Sequence, residues 1–350
     1  MSEQNNSSKI LIVGLFLSES NKDKILRTPA DQLAETLGKH GYGIIKTSAH
    51  VPRLKRLLDT VFTIIKNKGR FSIAIVPFYG GFRSFVWETI TVALLKKLNK
   101  KIVLIVHGGA IPERMKTKSA KYIRTMSKAD ILVCPSAYLM NGLEQYGLQT
   151  MLVENIVSLS EYQFHERSVI HPRILWMRTF EDVYNPLMAI RVLAMLMKKF
   201  PEASMVMAGH DRGMLQETID YAKELGVLNR IEFPGYISNA QKNELAATCS
   251  IYICTNMVDN APISLIEMMA LGLPIVSVNT GGIPFLVKDK YDCLLVNNND
   301  EQAMVDRIIY FISNPQEASK LALNGKRSAE RFDELPVVQK WENIFKKLSN

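Results

Sequence analysis

Short apolar runs alternate with amphipathic stretches along most of the 350-residue chain. The runs are strand-length and rich in β-branched side chains, as is typical of buried strands. In order they are KILIVGLF, GIIKTSA, SIAIVPF, KIVLIVHG, ILVCPS and TMLVEN, then RILWM, SMVMAG, RIEFPG, SIYICT, PIVSVN and CLLVN. Helical periodicity fills most of the gaps between them and predicts helices over residues 28–39, 53–67, 85–98, about 117–127, 185–199, 212–225, 238–247, 263–271 and 302–313. This alternation predicts an α/β protein built from parallel sheets that are covered by helices on both faces.

The alternation is interrupted at residues 156–172, which show no apolar periodicity and are typical of a connection between domains. A chain of 350 residues also exceeds the usual size of a single core. We therefore predict a first domain over residues 1–158 and a second over residues 159–335. Two doubly wound domains in tandem would face each other across a cleft with the carboxyl ends of their strands, where ligands bind.

The stretch from Asp259 to Val287 has the pattern of a strand end, a tight loop, a short helix, another strand and a glycine loop. Pro262 presets the φ angle of a first helical turn. Gly281 and Gly282 precede a second short helix, where the missing Cβ lets backbone N–H groups close on a ligand. Two helix N-termini beside neighbouring strand ends favour an anion such as a diphosphate, because their dipoles and unpaired N–H groups add up.

Glu267 lies on the first of these helices, eight residues after Asp259. Its carboxylate is placed to accept hydroxyl protons from a ribose or a hexose. The alternative is that Asp259 and Asn260 cap the helix and that Glu267 is a surface residue. The local pattern leaves both interpretations open.

Other candidate side chains follow strands of the predicted sheets. His107 ends a strand before Gly108 and Gly109, Arg178 follows RILWM, and His210 follows SMVMAG. A fixed arginine at such an edge can offset the charge of a diphosphate through paired hydrogen bonds. The alternatives are a packing histidine at 107 and an exposed arginine at 178.

Charge is shared unevenly within the net +9. Residues 1–170 contain 24 Lys and Arg against 13 Asp and Glu, whereas the remainder contains 19 against 21. A basic first half suggests an anionic partner, such as lipid head groups, an acidic glycan or a lipid-linked phosphate. A basic amphipathic stretch over residues 53–70 is compatible with a membrane surface or with a helix that covers the core. We expect no nucleic-acid partner.

The sequence lacks the motifs that would indicate several other classes of protein. The motifs GxxxxGK[ST], GxSxG and HExxH are absent, and the first βα turn, VGLFLSES, has a single glycine in place of GxGxxG. No pattern proposes a metal site or a bound cofactor. The four cysteines lie in or beside apolar runs without a CxxC pair, which predicts buried thiols. Neither a signal peptide nor a membrane span is expected.

The motif Asp259-x7-Glu267, followed by MMALGLPIVSVNTGGIPFLV, resembles the family 4 retaining glycosyltransferases of GT-B fold. The resemblance covers essentially the whole chain and is strongest over about residues 174–300. It implies two Rossmann-like domains and a final helix, residues 336–350, that crosses back to the first domain. It also implies a UDP- or GDP-linked sugar as donor substrate, bound without a metal.

The resemblance assigns roles to most of the candidates. Glu267 would bind the ribose, and Asp259 the donor sugar, where the family usually has a glutamate. Arg178 would bind the diphosphate, and His107 would approach the donor sugar from the first domain. The remaining donor-binding positions would be the helix start, the glycine loop and a strand-end histidine, namely Pro262, Ile263, Ser264, Leu265, Gly281, Gly282 and His210.

One departure from the family pattern concerns the diphosphate. The family usually has a lysine five residues after the arginine, and this chain has Val183 there, within RTFEDVYNP. Tyr184 or Asn185 can replace the hydrogen bonds of that lysine, but neither side chain supplies its positive charge.

The sequence therefore predicts a retaining, metal-independent glycosyltransferase. It would move a sugar from a nucleotide diphosphate sugar to a glycan or lipid-linked acceptor, for surface polysaccharide synthesis. We expect it in the cytoplasm, at the inner face of the cell membrane. The alternatives are a non-catalytic sugar-nucleotide or glycan-binding homologue and another GT-B enzyme such as a nucleotide-sugar epimerase.

Overall fold

A computed structural model describes residues 9–17 and 28–349, with Arg83 described by its backbone alone. The chain divides into two compact units. The first comprises the residues up to Ile156 together with the segment that begins at Glu334, and the second is Val157–Asp333. Each division lies two residues before the corresponding predicted boundary. Part of the first βα turn, residues 18–20, lies outside the described residues.

The first unit contains a six-stranded parallel sheet in the order β2-β1-β3-β4-β5-β6. Its strands are β1 (Lys9–Leu15), β2 (Ile44–Ser48), β3 (Phe71–Phe78), β4 (Lys101–Val106), β5 (Ile131–Cys134) and β6 (Met151–Leu152). Its described helices are α1 (Pro29–Lys39), α2 (Arg53–Lys66), α3 (Phe82–Lys97), α4 (Ile111–Met126), α5 (Ala137–Glu144) and the final α13 (Glu334–Ser349). Helices α1 and α13 pack against one face of the sheet, and α2 to α5 against the other.

The second unit repeats this architecture with the order β12-β11-β10-β7-β8-β9, again parallel throughout. Its strands are β7 (Arg173–Met177), β8 (Ser204–Ala208), β9 (Ile231–Gly235), β10 (Ile251–Cys254), β11 (Ile275–Val278) and β12 (Leu294–Val296). Its helices are α6 (Pro186–Met197), α7 (Leu215–Glu224), α8 (Asn239–Thr248), α9 (Ile263–Ala270), α10 (Ile283–Leu286), α11 (Glu301–Ser313) and α12 (Pro315–Ala329). The predicted α/β class with two doubly wound parallel sheets is thus confirmed.

Three helices differ from the sequence prediction. Helix α4 begins at Ile111 rather than near residue 117, because backbone angles of φ −133° and ψ 25° at Lys118 interrupt its regular periodicity. Helices α5 and α12 were not predicted at all. Helix α5 has only eight residues, and the buried face of α12 is made largely of alanine and glycine, so that neither has a strong apolar pattern.

The four cysteines are all buried and unpaired, as predicted. Over residues 9–17 and 28–349, no helix is long and apolar enough to cross a bilayer.

Candidate functional site

The backbone at the end of β7 fixes the position of Arg178. Its N–H donates to the carbonyl of Ala208 over 3.0 Å. A Cβ placed on Gly209, whose φ is +154°, would lie 1.9 Å from the Arg178 carbonyl oxygen. Only a glycine at position 209 therefore allows the two strand ends to approach this closely.

The Arg178 guanidinium joins three parts of the chain. Nη2 donates to Asp259 Oδ2 over 2.6 Å, and Nη1 donates to Ser264 Oγ over 3.3 Å. The ring of Tyr184 lies 4.0 Å from the guanidinium carbon. Burial by itself lowers the pKa of Arg178, but the facing Asp259 carboxylate reverses this and leaves the pKa raised. Arg178 is therefore a buried, fixed cation rather than an exposed strand-end residue.

Asp259 is held by several donors besides Arg178. Asn256 Nδ2 donates to Oδ2, and the Asn260 backbone N–H donates to Oδ1, each over 2.8 Å. The carboxylate therefore organises its own loop and does not cap helix α9.

Gly281 and Gly282 pack directly against this loop. A Cβ on Gly282 would lie 1.7 Å from the Asn260 carbonyl oxygen, and one on Gly281 would lie 2.3 Å from that of Asp259. The Gly282 N–H donates to Asp259 O over 2.7 Å. In this structure that amide is used within the protein, so the glycines serve to seat the Asp259 loop.

The N-terminus of α9 lies beside the same arginine. Pro262 is the N-cap with φ −65° and ψ 112°, and helical geometry starts at Ile263. Ser264 Oγ accepts from the buried Tyr252 hydroxyl over 3.1 Å as well as from Arg178. The first N–H groups of a helix have no partners within it, and the helix dipole adds partial positive charge there. One fixed cation and one helix N-terminus thus converge where a diphosphate was predicted.

Glu267 is buried, with 7% of its surface exposed, so the interpretation as a surface residue is wrong. Its Oε1 accepts from Tyr162 Oη and from Lys242 Nζ, each over 2.7 Å. Burial raises the pKa of Tyr162, and the neighbouring Glu267 raises it further, so the phenol stays a neutral donor. Among the described residues none donates a hydrogen bond to Oε2, which leaves this oxygen for a ligand hydroxyl.

Sequence reasoning missed Lys242 and Tyr162. Tyr162 belongs to the connection before β7 and is 105 residues from Glu267, whereas Lys242 lies on α8, 25 residues away. Their contacts with Glu267 depend on how these segments pack against α9. No local spacing signals either one.

His210 lies at the end of β8, and its ring stacks on Tyr236 with the ring centroids 4.4 Å apart. Its carbonyl accepts from the Phe180 N–H over 2.8 Å. Within the described residues, no hydrogen bond joins the His210 side chain to Arg178, Asp259 or Glu267.

His107 belongs to the first unit, where it follows β4. Its ring stacks on Tyr79 with the centroids 5.5 Å apart, and its N–H donates to Phe78 O over 2.9 Å. Burial lowers the pKa of His107 to about 4, so the imidazole is neutral at pH 7. A Cβ on the adjacent Gly108 would lie 2.3 Å from Tyr79 O, which shows why a glycine follows the histidine.

The residues around Val183, where the family resemblance predicts a lysine, make separate contacts. The Val183 carbonyl accepts from Met257 N–H over 2.8 Å. Asn185 Oδ1 accepts from Met188 N–H at the start of α6, and its Nδ2 donates to Asn299 Oδ1. Tyr184 is thus the residue of this segment that contacts Arg178. In the described ranges, no group of three or more His, Cys, Asp or Glu side chains could hold a metal ion.

Comparison with known families gives a match within the second unit. Residues 163–328 match the family described as "Glycosyl transferases group 1". An α-1,3/1,6-mannosyltransferase of Dictyostelium discoideum is 33% identical over 147 residues, which are 40% of this chain and 35% of that relative. The match to this relative therefore spans only about a third of its length.

A second relative is matched over more of its length. It is a Campylobacter jejuni α-1,4-N-acetyl-D-galactosaminyltransferase, named for a diNAcBac-PP-undecaprenol-linked saccharide. It is 23% identical over 275 residues, which are 77% of this chain and 75% of the relative.

Solved structures agree on the fold. Anabaena HepE in complex with UDP superposes with a TM-score of 0.76 at 16% identity, over 97% of this chain and 100% of that one. Sucrose-phosphate synthase of Thermosynechococcus elongatus superposes with a TM-score of 0.80 at 15% identity, over 97% and 99% of the two chains. The two sheets are those of the GT-B fold.

Proposed function

We propose that this protein is a retaining glycosyltransferase that moves a sugar from a UDP- or GDP-linked donor to a glycan or lipid-linked acceptor. The observation that carries the proposal is the convergence of Arg178, Asp259 and the N-terminus of α9, with Glu267 one turn further along the helix. This arrangement occurs within the stretch that matches the group 1 glycosyltransferases.

In the proposed reaction, the bond between the anomeric carbon and the diphosphate breaks while the acceptor oxygen forms the new glycosidic bond. Arg178 and the amides of Ile263 and Ser264 at the start of α9 stabilise the leaving diphosphate by preorganised electrostatics. Glu267 Oε2 accepts from a ribose hydroxyl. Asp259 releases Arg178 to the diphosphate and turns to the donor sugar.

Attack on the face that the diphosphate leaves retains the anomeric configuration and needs no protein nucleophile. The acceptor hydroxyl passes its proton to the departing diphosphate. No metal is assigned in this proposal, because Arg178 and the helix N-terminus supply the positive charge. The role of His107 at the donor sugar stays a prediction from the resemblance.

We also propose that the protein works at the cytoplasmic face of a membrane, in surface polysaccharide synthesis. Large apolar side chains on α2 are exposed at helical spacing, namely Leu54, Leu58, Phe62 and Ile65. Arg53, Lys55 and Lys66 on the same helix are exposed as well. An apolar stripe among cations suits a bilayer that contains anionic lipids.

The names of two relatives contain lipid-linked saccharides, which supports the proposal of a lipid-linked acceptor. The Campylobacter jejuni relative is named for a PP-undecaprenol-linked saccharide, and another, from Dictyostelium discoideum, for a PP-Dol-linked one.

A non-catalytic nucleotide-sugar-binding homologue is the second candidate. The observation that favours it is the closed Arg178–Asp259 pair beside Val183, where the family usually has a lysine. In that case the cluster would bind a donor and never release the diphosphate.

Donor binding is tested by thermal shift with UDP, GDP, ADP and CDP, and with UDP- and GDP-sugars, on the wild type, Glu267→Ala and Glu244→Ala. Glu244 is an exposed glutamate on α8 and serves as the matched control. A nucleotide at 100 times its dissociation constant stabilises the fold by about 2.7 kcal/mol. We expect a shift with one base, lost in Glu267→Ala and kept in Glu244→Ala.

The absence of a shift with every nucleotide would refute the donor site. Release of nucleoside diphosphate only when an acceptor is supplied separates a transferase from a binding homologue. The configuration of the product, read by NMR, tests retention.

A further inference from the structure

The first unit contains a cavity of about 180 Å³ between the start of α3 and helix α4. Three cations line it, namely Arg114, Lys118 and Lys121, all from α4. The helix is interrupted at Lys118, in the wall of the cavity. One helix thereby presents three positive side chains to one small space.

None of these cations forms an ion pair with a described residue. Burial raises the pKa of Glu88, and Arg114 offsets part of that rise, so Arg114 interacts with this carboxylate from beyond contact distance. Arg114 Nη1 reaches the Tyr79 carbonyl at 3.4 Å, and Lys121 Nζ lies 4.4 Å from the centre of the Phe85 ring. By contrast, Lys116 on the same helix is paired with Glu113 at 2.8 Å. The cavity therefore holds concentrated positive charge that no described carboxylate neutralises at contact distance.

The Glu88 carboxylate already accepts hydrogen bonds from the backbone. Glu88, buried on α3, accepts from the Tyr79 N–H at 2.9 Å through Oε1 and from the Gly80 N–H at 3.2 Å through Oε2. The Tyr122 hydroxyl donates to the Gly80 carbonyl over 2.6 Å. These bonds fix the backbone at Gly80, which lines the cavity, and Glu88 itself is not a lining residue.

Size limits what the cavity can hold. Pockets that enclose drug-sized ligands measure roughly 300–1,000 Å³, so about 180 Å³ is too little for a sugar nucleotide. A phosphate or diphosphate group is small enough, and it is the anion that arginine and lysine donors bind most effectively.

The cavity opens beside an apolar stripe on α3. Phe82 lines the cavity and is 88% exposed, and Val86 and Ile90 continue the stripe at 57% and 39% exposure. The spacing of four residues puts the three side chains on one face of the helix. The Trp87 indole on α3 donates to Thr60 Oγ1 on α2 over 3.2 Å. The helix that carries the exposed stripe of α2 is therefore a direct neighbour of α3.

We propose that this cavity is the seat for the phosphate of a long-chain lipid phosphate or diphosphate, whose hydrocarbon chain enters the bilayer along Phe82, Val86 and Ile90. A charged seat that opens onto an exposed apolar face suits a ligand with an anionic head joined to a hydrocarbon tail. A soluble phosphate would leave the apolar face without a partner, and an uncharged lipid would leave the cations without one. The inference rests on the proposed function and names the class of its acceptor.

The test measures partition of the full-length protein into vesicles by co-sedimentation, without nucleotide. The vesicles are phosphatidylcholine alone, phosphatidylcholine with polyprenyl monophosphate, with uncharged polyprenol, and with phosphatidylserine at matched surface charge. We expect the wild type to prefer polyprenyl phosphate over phosphatidylserine by about tenfold or more, the effect of one charge-assisted hydrogen bond to a buried head group.

Two triple variants decide whether the preference belongs to the cavity. The cavity variant carries Arg114→Gln, Lys118→Gln and Lys121→Gln. The control carries Lys116→Gln, Arg124→Gln and Lys128→Gln, which removes the same charge from α4 and the turn that follows it. We expect the cavity variant to bind both anionic vesicles equally. The control should weaken both by the same factor, at most roughly fivefold per cation, and keep the preference.

Three outcomes would overturn the proposal. Equal binding of the wild type to both anionic vesicles, or equal loss of preference in the two variants, would overturn the proposal in favour of diffuse charge. Competition by inorganic diphosphate without a lipid preference would indicate a free-anion site, which also overturns it. Circular dichroism and melting of both variants exclude unfolding as the cause.

The readout needs no donor, so its failure is separable from that of the proposed function. If nucleotides bind but the lipid preference is absent, the acceptor inference fails alone. If the preference is present and no nucleotide binds, the transferase proposal fails and the lipid-phosphate site stands.

Discussion

The two units have the same architecture and use charge in opposite ways. In the second, Arg178 and Asp259 form a largely buried pair at 2.6 Å, and Lys242 and Glu267 form another at 2.7 Å. In the first, the cations around the α4 cavity are exposed and form no ion pair with a described residue. Buried pairs hold geometry for a specific ligand at the cost of desolvation, whereas exposed cations attract an anion at little cost.

Apolar surface shows the same contrast. Every residue of α9 except Ile263 is buried, as expected for a helix whose start forms a site. Helices α2 and α3 carry exposed stripes of leucine, phenylalanine, valine and isoleucine. The same type of Rossmann-like unit thus has a polar cluster of paired side chains in one copy and exposed apolar stripes in the other.

The largest expected effect comes from breaking the Arg178–Asp259 pair. Arg178→Met leaves Asp259 buried without its cation, and we expect the second unit to lose about 3–5 kcal/mol. Urea unfolding followed by fluorescence of the buried Trp176 measures it. Arg173→Met is the matched control from the same segment, because its pair with Glu232 is largely exposed and should cost less than about 1 kcal/mol. Equal losses in the two variants would contradict the importance of burial.

A pH effect of up to about 3 kcal/mol is expected in the first unit, from the lowering of the His107 pKa from 6.5 to about 4. The unfolded chain binds a proton between these pH values and the native chain does not. This stability is therefore fully present above pH 6.5 and is lost as the pH falls toward 4. Amide hydrogen exchange of β3 and β4 measures it, and His107→Gln should flatten the slope. An unchanged slope in that variant would contradict the assignment.

A smaller effect is expected at Lys242, because Tyr162 still donates to Glu267 after the lysine is removed. Lys242→Met should cost roughly 2 kcal/mol, the value of a hydrogen bond to a charged group, and should weaken nucleotide binding. Lys242→Arg keeps the charge and should recover most of both. Binding isotherms and urea unfolding of the two variants provide the comparison. Full nucleotide affinity in Lys242→Met would show that the lysine does not position Glu267.

The smallest effect on stability is expected on the exposed face of α2. Leu58→Ser together with Phe62→Ser should change the free energy of unfolding by no more than about 0.5 kcal/mol, while vesicle binding falls. Ile64→Ser on the buried face of the same helix is the control, and it should destabilise the first unit without a specific effect on vesicles. A large loss of stability in the exposed double variant would mean that the stripe packs against protein.

Local pattern was enough to predict the sheets, because alternating buried strands and amphipathic helices have few other stable arrangements. It also identified Arg178, Asp259 and the start of α9, since strand ends and helix N-termini in parallel sheets lie at one edge. It missed α12, whose buried positions are small, and placed the start of α4 too late because of the break at Lys118.

The sequence by itself therefore determined the α/β class and the edge of the second sheet where the candidate site lies. Only the tertiary structure decided that Glu267 is buried and accepts hydrogen bonds from Lys242 and Tyr162. It also decided that the Gly282 N–H donates to the Asp259 carbonyl. It also decided that the basic stretch on α2 exposes its apolar side chains. The reason is that burial and pairing depend on contacts between residues tens of positions apart, whereas periodicity reports only neighbours along the chain.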